Sequence, residues 1–482
     1  MKKERRKGFL TPTVKYDANG FWQVFFRRRS EPVAEVQIKD ADQSIRQVYT
    51  GLQAKSPLAR GEHGREADRA HLYLIVAGLL FALPFVDRRR PLRMLHLDLA
   101  VMLALGIYHF FFARGEVALA IPLVYPVLLY LLARVLWVAF HPPGRVEALV
   151  PHASTRLLAA ALLLVVAGRM AVCATSRFIM DGGYDSVWGA DTITNGYQLY
   201  ALSAFPLNTY GPIVYLAYVP FEAIFPFGGG QYANAVPAAH AAAMTFDLVT
   251  IGGLVVLGRR LRPGGAGTLL GLALAYGWAT YPWTLAVLIA STNDSLVPAL
   301  IVWALVLVQS APARAGLLGL ASAAKLFPLP LLPAFARSEG DGWSVRRITV
   351  YGAVAVVVIV LAIAPYLPHP GGVNQFIDLV ARSETGRQAI FSIWGLHPSL
   401  EWLKLTARVL MIALGIALFF FPRERSVTTL AAAAAALIIA QELSLEHWYY
   451  LYASWFTAFV LIALFTRLPT GEPEPYPARA PT

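Results

Sequence analysis

After about residue 70 the chain is built of long apolar runs separated by short charged loops. The runs lie near 71–86, 94–113, 117–140, 157–176, 233–258, 267–290, 295–309, 348–367, 404–421, 426–443 and 449–466. Most approach the roughly 20 residues that a helix needs to cross a hydrocarbon core. Two further apolar stretches are interrupted by proline. One is 212–227, with three prolines; the other is 315–336, where Lys325 is followed by Pro328, Pro330 and Pro333. Proline removes a helical donor and clashes with the preceding turn. Both stretches therefore read as broken, re-entrant or interfacial helices, tolerated where protein or a cavity covers the freed backbone. The pattern predicts an all-α, polytopic integral membrane protein with about 11–13 membrane segments.

The two ends break the pattern. Residues 1–70 are polar throughout, with 15 Lys/Arg and 9 Asp/Glu, and include KKERRK and Arg27-Arg28-Arg29. They are expected to be mostly disordered or associated with the membrane surface. Residues 467–482 are proline-rich and expected to be disordered. The intervening chain divides into accessory N-terminal membrane helices, 71–156, and a membrane core, 157–466, with a long polar loop at 176–211. No secretory signal and no internal repeat stand out.

Composition supports this class. Of the 482 residues, 57% are hydrophobic and 15% charged, against about 25% charged in soluble domains; mean hydropathy is +0.54. The net charge of +12 is no nucleic-acid signal here, because Lys and Arg collect in cytoplasmic loops of membrane proteins. A single cysteine, Cys173, excludes an intrachain disulfide and a cysteine-cluster metal site. The loops 87–93, 141–156, 259–265, 336–347 and 422–425 are basic and are expected on the cytoplasmic side. If the two broken stretches do not cross, all five fall on one side. The other side receives 176–211, 291–294, 368–403 and 444–448. The same parity puts the basic N-terminal tail outside, against the rule.

The polar residues of that other side carry the candidate chemistry. Asp181, Asp185 and Asp191 lie in the loop 176–211, among aromatics. A carboxylate near the membrane surface can serve as general base or metal ligand; a helix cap or a solvated loop aspartate is the plainer reading of each. Asn293-Asp294 interrupts an apolar hairpin, where a simple turn would also account for it. Lys325 within an apolar stretch is by default a functional hypothesis, with snorkelling to an interface as the alternative. Arg169 and Asp247, within predicted helices, either pair or approach the interface, and His240 reads as a satisfied buried histidine rather than a ligand. No HExxH, Walker A or GxSxG motif is present.

Four segments resemble the GT-C superfamily of polytopic glycosyltransferases, most closely its actinobacterial alpha-mannosyltransferase-like branch. They are Asp181-Gly182-Gly183-Tyr184 with Gly189-Ala190-Asp191, Tyr210-Gly211-Pro212-Ile213-Val214-Tyr215, Thr292-Asn293-Asp294, and Ala323-Ala324-Lys325-Leu326-Phe327-Pro328-Leu329. The resemblance covers about 157–466. It implies a GT-C-like helical bundle in the cell membrane and a polyprenyl-phosphate sugar donor. It also implies a glycolipid or glycan acceptor, with membrane lipids but no nucleic acid as partners, and an extracytoplasmic active site. An acidic residue of the first outer loop would be catalytic base or metal ligand, which leaves a divalent cation open as cofactor. The loop lacks the paired acids of that family, so the motif does not decide which aspartate acts; Asp181 stands first, then Asp191, with Asp185 third.

In the implied reaction an acceptor hydroxyl attacks the anomeric carbon, a carboxylate takes the proton, and basic groups stabilise the phosphate leaving group. Lys325, Arg382 and His397 are candidates to face phosphate. Tyr210, Asn293, Asp294, Trp394 and His447 complete the expected substrate-binding set. Tyr184, Trp188, Tyr210, Trp394 and Trp448 suit sugar stacking, or equally an interfacial aromatic belt. Two other classes stay open: a transporter or flippase of a lipid-linked glycan, and a non-catalytic membrane assembly protein.

Overall fold

A computed structural model describes residues 11–17, 21–28, 31–60, 65–141, 148–151, 153–200, 209–339, 342–380, 390–423 and 425–467. Arg382 and the proline-rich segment beyond 467 lie outside these residues.

The N-terminal segment is folded, contrary to the expectation of a mostly disordered tail. Strands β1 (Thr11–Asp17), β2 (Phe21–Arg28), β3 (Glu31–Lys39) and β4 (Ile45–Thr50) form one antiparallel meander in the order β1-β2-β3-β4. High mean charge hid a period-two alternation of Val, Ile, Tyr, Phe and Trp, which is the signature of a strand. Helix α1 (Leu52–Lys55) follows. Arg60 forms an ion pair with the buried Glu35 and covers the Tyr49 ring at 4.2 Å. These contacts hold the segment 52–60 against one face of the sheet.

The remainder is helical. In chain order the helices are α2 (Arg65–Ala82), α3 (Met94–Ala113), α4 (Val117–Phe140), α5 (Thr155–Thr175) and α6 (Asp181–Thr194). Next come α7 (Pro212–Ile224), α8 (Tyr232–Leu261), α9 (Gly264–Thr280), α10 (Pro282–Ile289), α11 (Leu296–Val306) and α12 (Ala311–Ala324). The last five are α13 (Val345–Ile363), α14 (Gly372–Val380), α15 (Glu401–Phe420), α16 (Val427–Glu442) and α17 (Ala453–Phe465). Among the described residues six helices are long and apolar enough to cross a membrane, and a seventh span results if the bent pair α9–α10 counts as one. Five shorter apolar helices accompany them. The chain is an all-α polytopic membrane protein.

Two expected elements differ. The run 267–290 is no straight span: Pro282 bends it by 60°. Arg169 answers the break, donating to the freed Ala279 carbonyl at 2.6 Å while its other amino group pairs with Asp247 at 2.7 Å. Of the two readings for these residues, pairing is the one present, and it satisfies backbone that hydrocarbon could not. The polar loop 176–211 contains the 14-residue helix α6.

Helix α16 is an alanine-rich rod, buried along nearly its whole length. Small side chains let neighbouring backbones approach closely, and α4 and α17 pack directly on it. The helices before 157, expected as accessory, thus share one hydrophobic core with the rest. The five basic loops gather at one end. Arg260 and Arg262 donate to Val306 and Thr466, Arg337 to Phe419, and Arg425 to Leu418 and Ala334. Arg93 donates to Ala148, and Arg467 to His141. Arginine at a helix C-terminus satisfies orphan carbonyls and complements the dipole. At the other end the loop 114–116 abuts the β-domain: a Cβ on Gly115 would stand 3.0 Å from the Arg60 carbonyl oxygen.

Candidate functional site

The end of the bundle away from the basic loops holds a cavity of about 680 Å³. Helix α6 forms one wall. Its N-terminus is docked onto the turn 290–294, with Met180 N donating to Ala290 O at 2.9 Å. Asn293 Nδ2 donates to Gly182 O at 3.1 Å and to Ser186 Oγ at 2.9 Å. The glycines of this helix are required by contact: a Cβ on Gly183 would stand 2.2 Å from the Ser291 carbonyl oxygen, and one on Gly189 would stand 2.1 Å from the Tyr215 ring. Those glycines depress the apolar periodicity, which is why the segment reads as a loop in sequence.

Docking aims Asp181 and Asp185, one turn apart, into the cavity. Asp181 opens the helix, and its Oδ1 accepts from Gly182 N at 2.8 Å. Asp185 is 4% exposed, and among the described residues no hydrogen bond reaches its carboxyl group. Burial first, and the neighbouring Asp181 second, push its pKa up to about 8. Asp191 lies elsewhere. It lines no part of this cavity and sits near Glu222, where burial and the Glu222 charge raise its pKa.

The raised Asp185 has a testable sign. Between the ordinary carboxylate range and about 8, the folded chain holds a proton that the unfolded chain has released. Stability contributed here falls as pH rises through that window. Asp185→Asn keeps a neutral group at every pH. Its melting temperature, followed from about pH 5 to about pH 9, is expected to lose part of the decline seen in the parent. An unchanged slope would put the proton elsewhere.

A second wall is built around Lys325. Helix α12 ends there, as the prolines that follow require, and the side chain enters the cavity. Lys325 Nζ lies 2.5 Å from Asp294 Oδ1, which also accepts from Trp455 Nε1 at 2.8 Å. Thr292 Oγ1 donates to Asp294 Oδ2 at 2.7 Å. The rings of Tyr210 and Trp455 flank the ammonium at 5.1 and 5.2 Å. Gly211 N donates to Ala324 O at 2.9 Å, tying the Tyr-Gly-Pro turn to the end of α12. A Cβ on Gly211 would stand 2.0 Å from the Ala323 carbonyl oxygen. Gly211→Ala is expected to destabilise the protein by about 1–3 kcal/mol; an unshifted thermal midpoint would disprove this packing.

The third wall comes from α15 and the segment 441–455, with Arg408, Met411, Ile412, Glu446 and His447. Lys404 bonds Glu401 and Glu446, while Arg408 Nη2 stands 3.8 Å from Glu446 Oε1. Among the described residues the Arg408 guanidinium makes no hydrogen bond.

Of the expected site residues, the cavity brings together Asp181, Asp185, Tyr210, Asp294, Lys325 and His447. Asn293 lies beneath the surface as a structural link. Trp394 is buried edge-on to Tyr125 at 6.0 Å and does not line the cavity. His397 is exposed outside it, because the turn after residue 396 carries it away from the wall. Trp448 is buried and donates to Glu442 at 2.9 Å. His240 bonds Ser291 Oγ and the Ser176 carbonyl, a satisfied core histidine. Arg408 and Trp455 were not expected; a lone Arg one turn after Lys404 in an apolar helix was the available signal. Among the described residues no three His, Cys, Asp or Glu side chains form a metal-ligand set. No protein-family model matches the chain, and no curated protein matches it.

Proposed function

We propose that this chain is a membrane glycosyltransferase of GT-C type, moving a mannose-like sugar from a polyprenyl-phosphate donor to a glycolipid or glycan acceptor. One observation carries the reading. Two carboxyl groups share one wall of a cavity that is also lined by a guanidinium on a membrane-spanning helix. The parity of the basic loops supports an extracytoplasmic position for that end. The resemblance in the four sequence segments points the same way, since all four, through 181–182, 210–211, Thr292 with Asp294, and 325–327, contribute to the lining.

The geometry supports one division of labour. The acceptor oxygen forms its bond to the anomeric carbon as the bond from that carbon to the phosphate oxygen breaks, and the electron pair leaves with the phosphate. Asp181 takes the hydroxyl proton. Asp185, holding its own proton below about pH 8, adds no second negative charge beside the base and can donate a hydrogen bond. Arg408, whose five donors suit phosphate oxygens, faces the leaving group. Lys325 is committed to Asp294 and holds the wall in place.

The test is the lipid and glycan profile of a strain lacking the chain. A missing glycolipid or a shortened glycan is the expected result. Accumulation of a complete lipid-linked glycan would overturn the reading in favour of a flippase.

A further inference from the structure

The β-domain has two unlike faces. One is occupied: Glu35 and Tyr49 on that face meet Arg60, and the segment 52–60 packs there. The other carries two apolar rows. The register pairs Val14 with Val24, Val24 with Val36 and Val36 with Val48, so one valine from each strand lines a row across the sheet. A neighbouring row pairs Tyr16 with Trp22 and Trp22 with Ile38, then Ile38 with Ile45. Side chains two residues apart share a face, so both rows point the same way. Val14, Trp22, Ile45 and Val48, towards the edges of the face, are 60%, 41%, 65% and 53% exposed, while Val36 at its centre is 9% exposed. A contiguous exposed apolar patch of this kind marks an interaction site.

We propose that this face lies on the surface of an anionic lipid bilayer, docking the β-domain beside the membrane bundle. Three observations select lipid as the occupant. The domain is tethered: only residues 61–64 separate the end of its last helical turn at Arg60 from helix α2, which opens the apolar stretch Leu72–Phe85. Its charge is basic, since residues 11–60 carry 8 Lys/Arg against 5 Asp/Glu. That balance complements anionic headgroups and would make two copies repel if their sheets stacked. The aromatic pair is amphipathic in the manner of interfacial residues: Trp22 Nε1 donates to Asp40 Oδ1 at 2.8 Å and Tyr16 Oη to Asp40 Oδ2 at 3.3 Å, so both rings carry their polar tips to one rim carboxylate. The domain stands at the cavity end of the bundle, where the loop 114–116 abuts it. Bilayer docking would therefore fix it beside the membrane surface from which that end is reached.

The experiment uses the full-length chain in nanodiscs, with a nitroxide on a single introduced cysteine, Val48→Cys or Val14→Cys, and on Asp42→Cys as a solvent-facing control. Cys173 is buried and stays unlabelled. With phosphatidylglycerol present, the labels at 48 and 14 are expected to collide readily with dissolved oxygen and poorly with a water-soluble nickel chelate; the label at 42 should show the reverse. Nickel accessibility at 48 and 14 equal to that at 42 would leave the face in water and overturn the proposal. Protection from both reagents would assign the face to a protein, either a second copy or another chain, and would equally overturn it. A charge-reversed variant, Arg28→Glu, at the basic position that alternation along β2 puts on the face of Trp22 and Val24, is expected to return the label at 48 towards water. No change in that variant, or an unchanged result in nanodiscs lacking phosphatidylglycerol, would overturn the anionic component.

Discussion

Asp181→Asn is expected to lower turnover by about a hundredfold or more, the scale of a general base, while the protein folds normally. The substitution is nearly isosteric, and its amide oxygen can still accept the hydrogen bond from Gly182 N. It removes only the capacity to take a proton. Two features make the effect specific to this position. Asp181 lies at the cavity surface and Asp185 beneath it, 4% exposed. Asp185 holds a proton at neutral pH, its pKa being about 8, so it is poorly placed to replace the missing base. Turnover is measured as release of lipid phosphate, with the thermal midpoint as a folding control. Near-normal turnover in Asp181→Asn would move proton abstraction to Asp185, since Asp191 lies outside the cavity.

Lys325→Met is expected to cost about 3–5 kcal/mol of stability, the scale of removing one partner from a buried pair. The side chains of Lys325 and Asp294 are 10% and 8% exposed. Without the ammonium, the carboxylate keeps its bonds from Trp455 and Thr292 but loses its counter-charge. The double variant Lys325→Met with Asp294→Asn removes both charges and is expected to recover part of the loss. Donor affinity separates this role from phosphate binding. Arg408→Gln should weaken donor binding by about 10- to 100-fold, from loss of one charge-assisted hydrogen bond or more, with little change in stability. A stable Lys325→Met protein that no longer binds donor would reverse the two assignments.

Chain pattern was enough for the class of fold. Apolar runs long enough to span a bilayer must become helices, because hydrocarbon offers no partner to an open backbone. Proline at 328, 330 and 333 had to end a helix near Lys325, and α12 ends at Ala324. The basic loops had to share one end, and Arg93, Arg260, Arg337 and Arg425 all donate to main-chain carbonyls there. Local polarity also singled out Asp181, Asp294 and Lys325, since a charge beside or within an apolar run is rare unless something holds it.

The tertiary structure decided which of those charges meet. Asp181, Asp185 and Asp191 are equivalent by composition, but docking of α6 onto the 290–294 turn turns the first two into the cavity and leaves Asp191 beside Glu222. Close contact at Gly183 and Gly189 makes that docking possible, and no periodicity announces it. Lys325 and Asp294 are 31 positions apart; only the packing of α12 against α11 reveals that the lysine is already neutralised. Arg408 gained its place by elimination in space, because Lys404 satisfies Glu446 and leaves the guanidinium facing the cavity. The β-domain escaped a reading by mean charge because a sheet that is polar on one face and apolar on the other averages to neither. Sequence sets which groups are costly to bury, and packing alone sets which of them face one another.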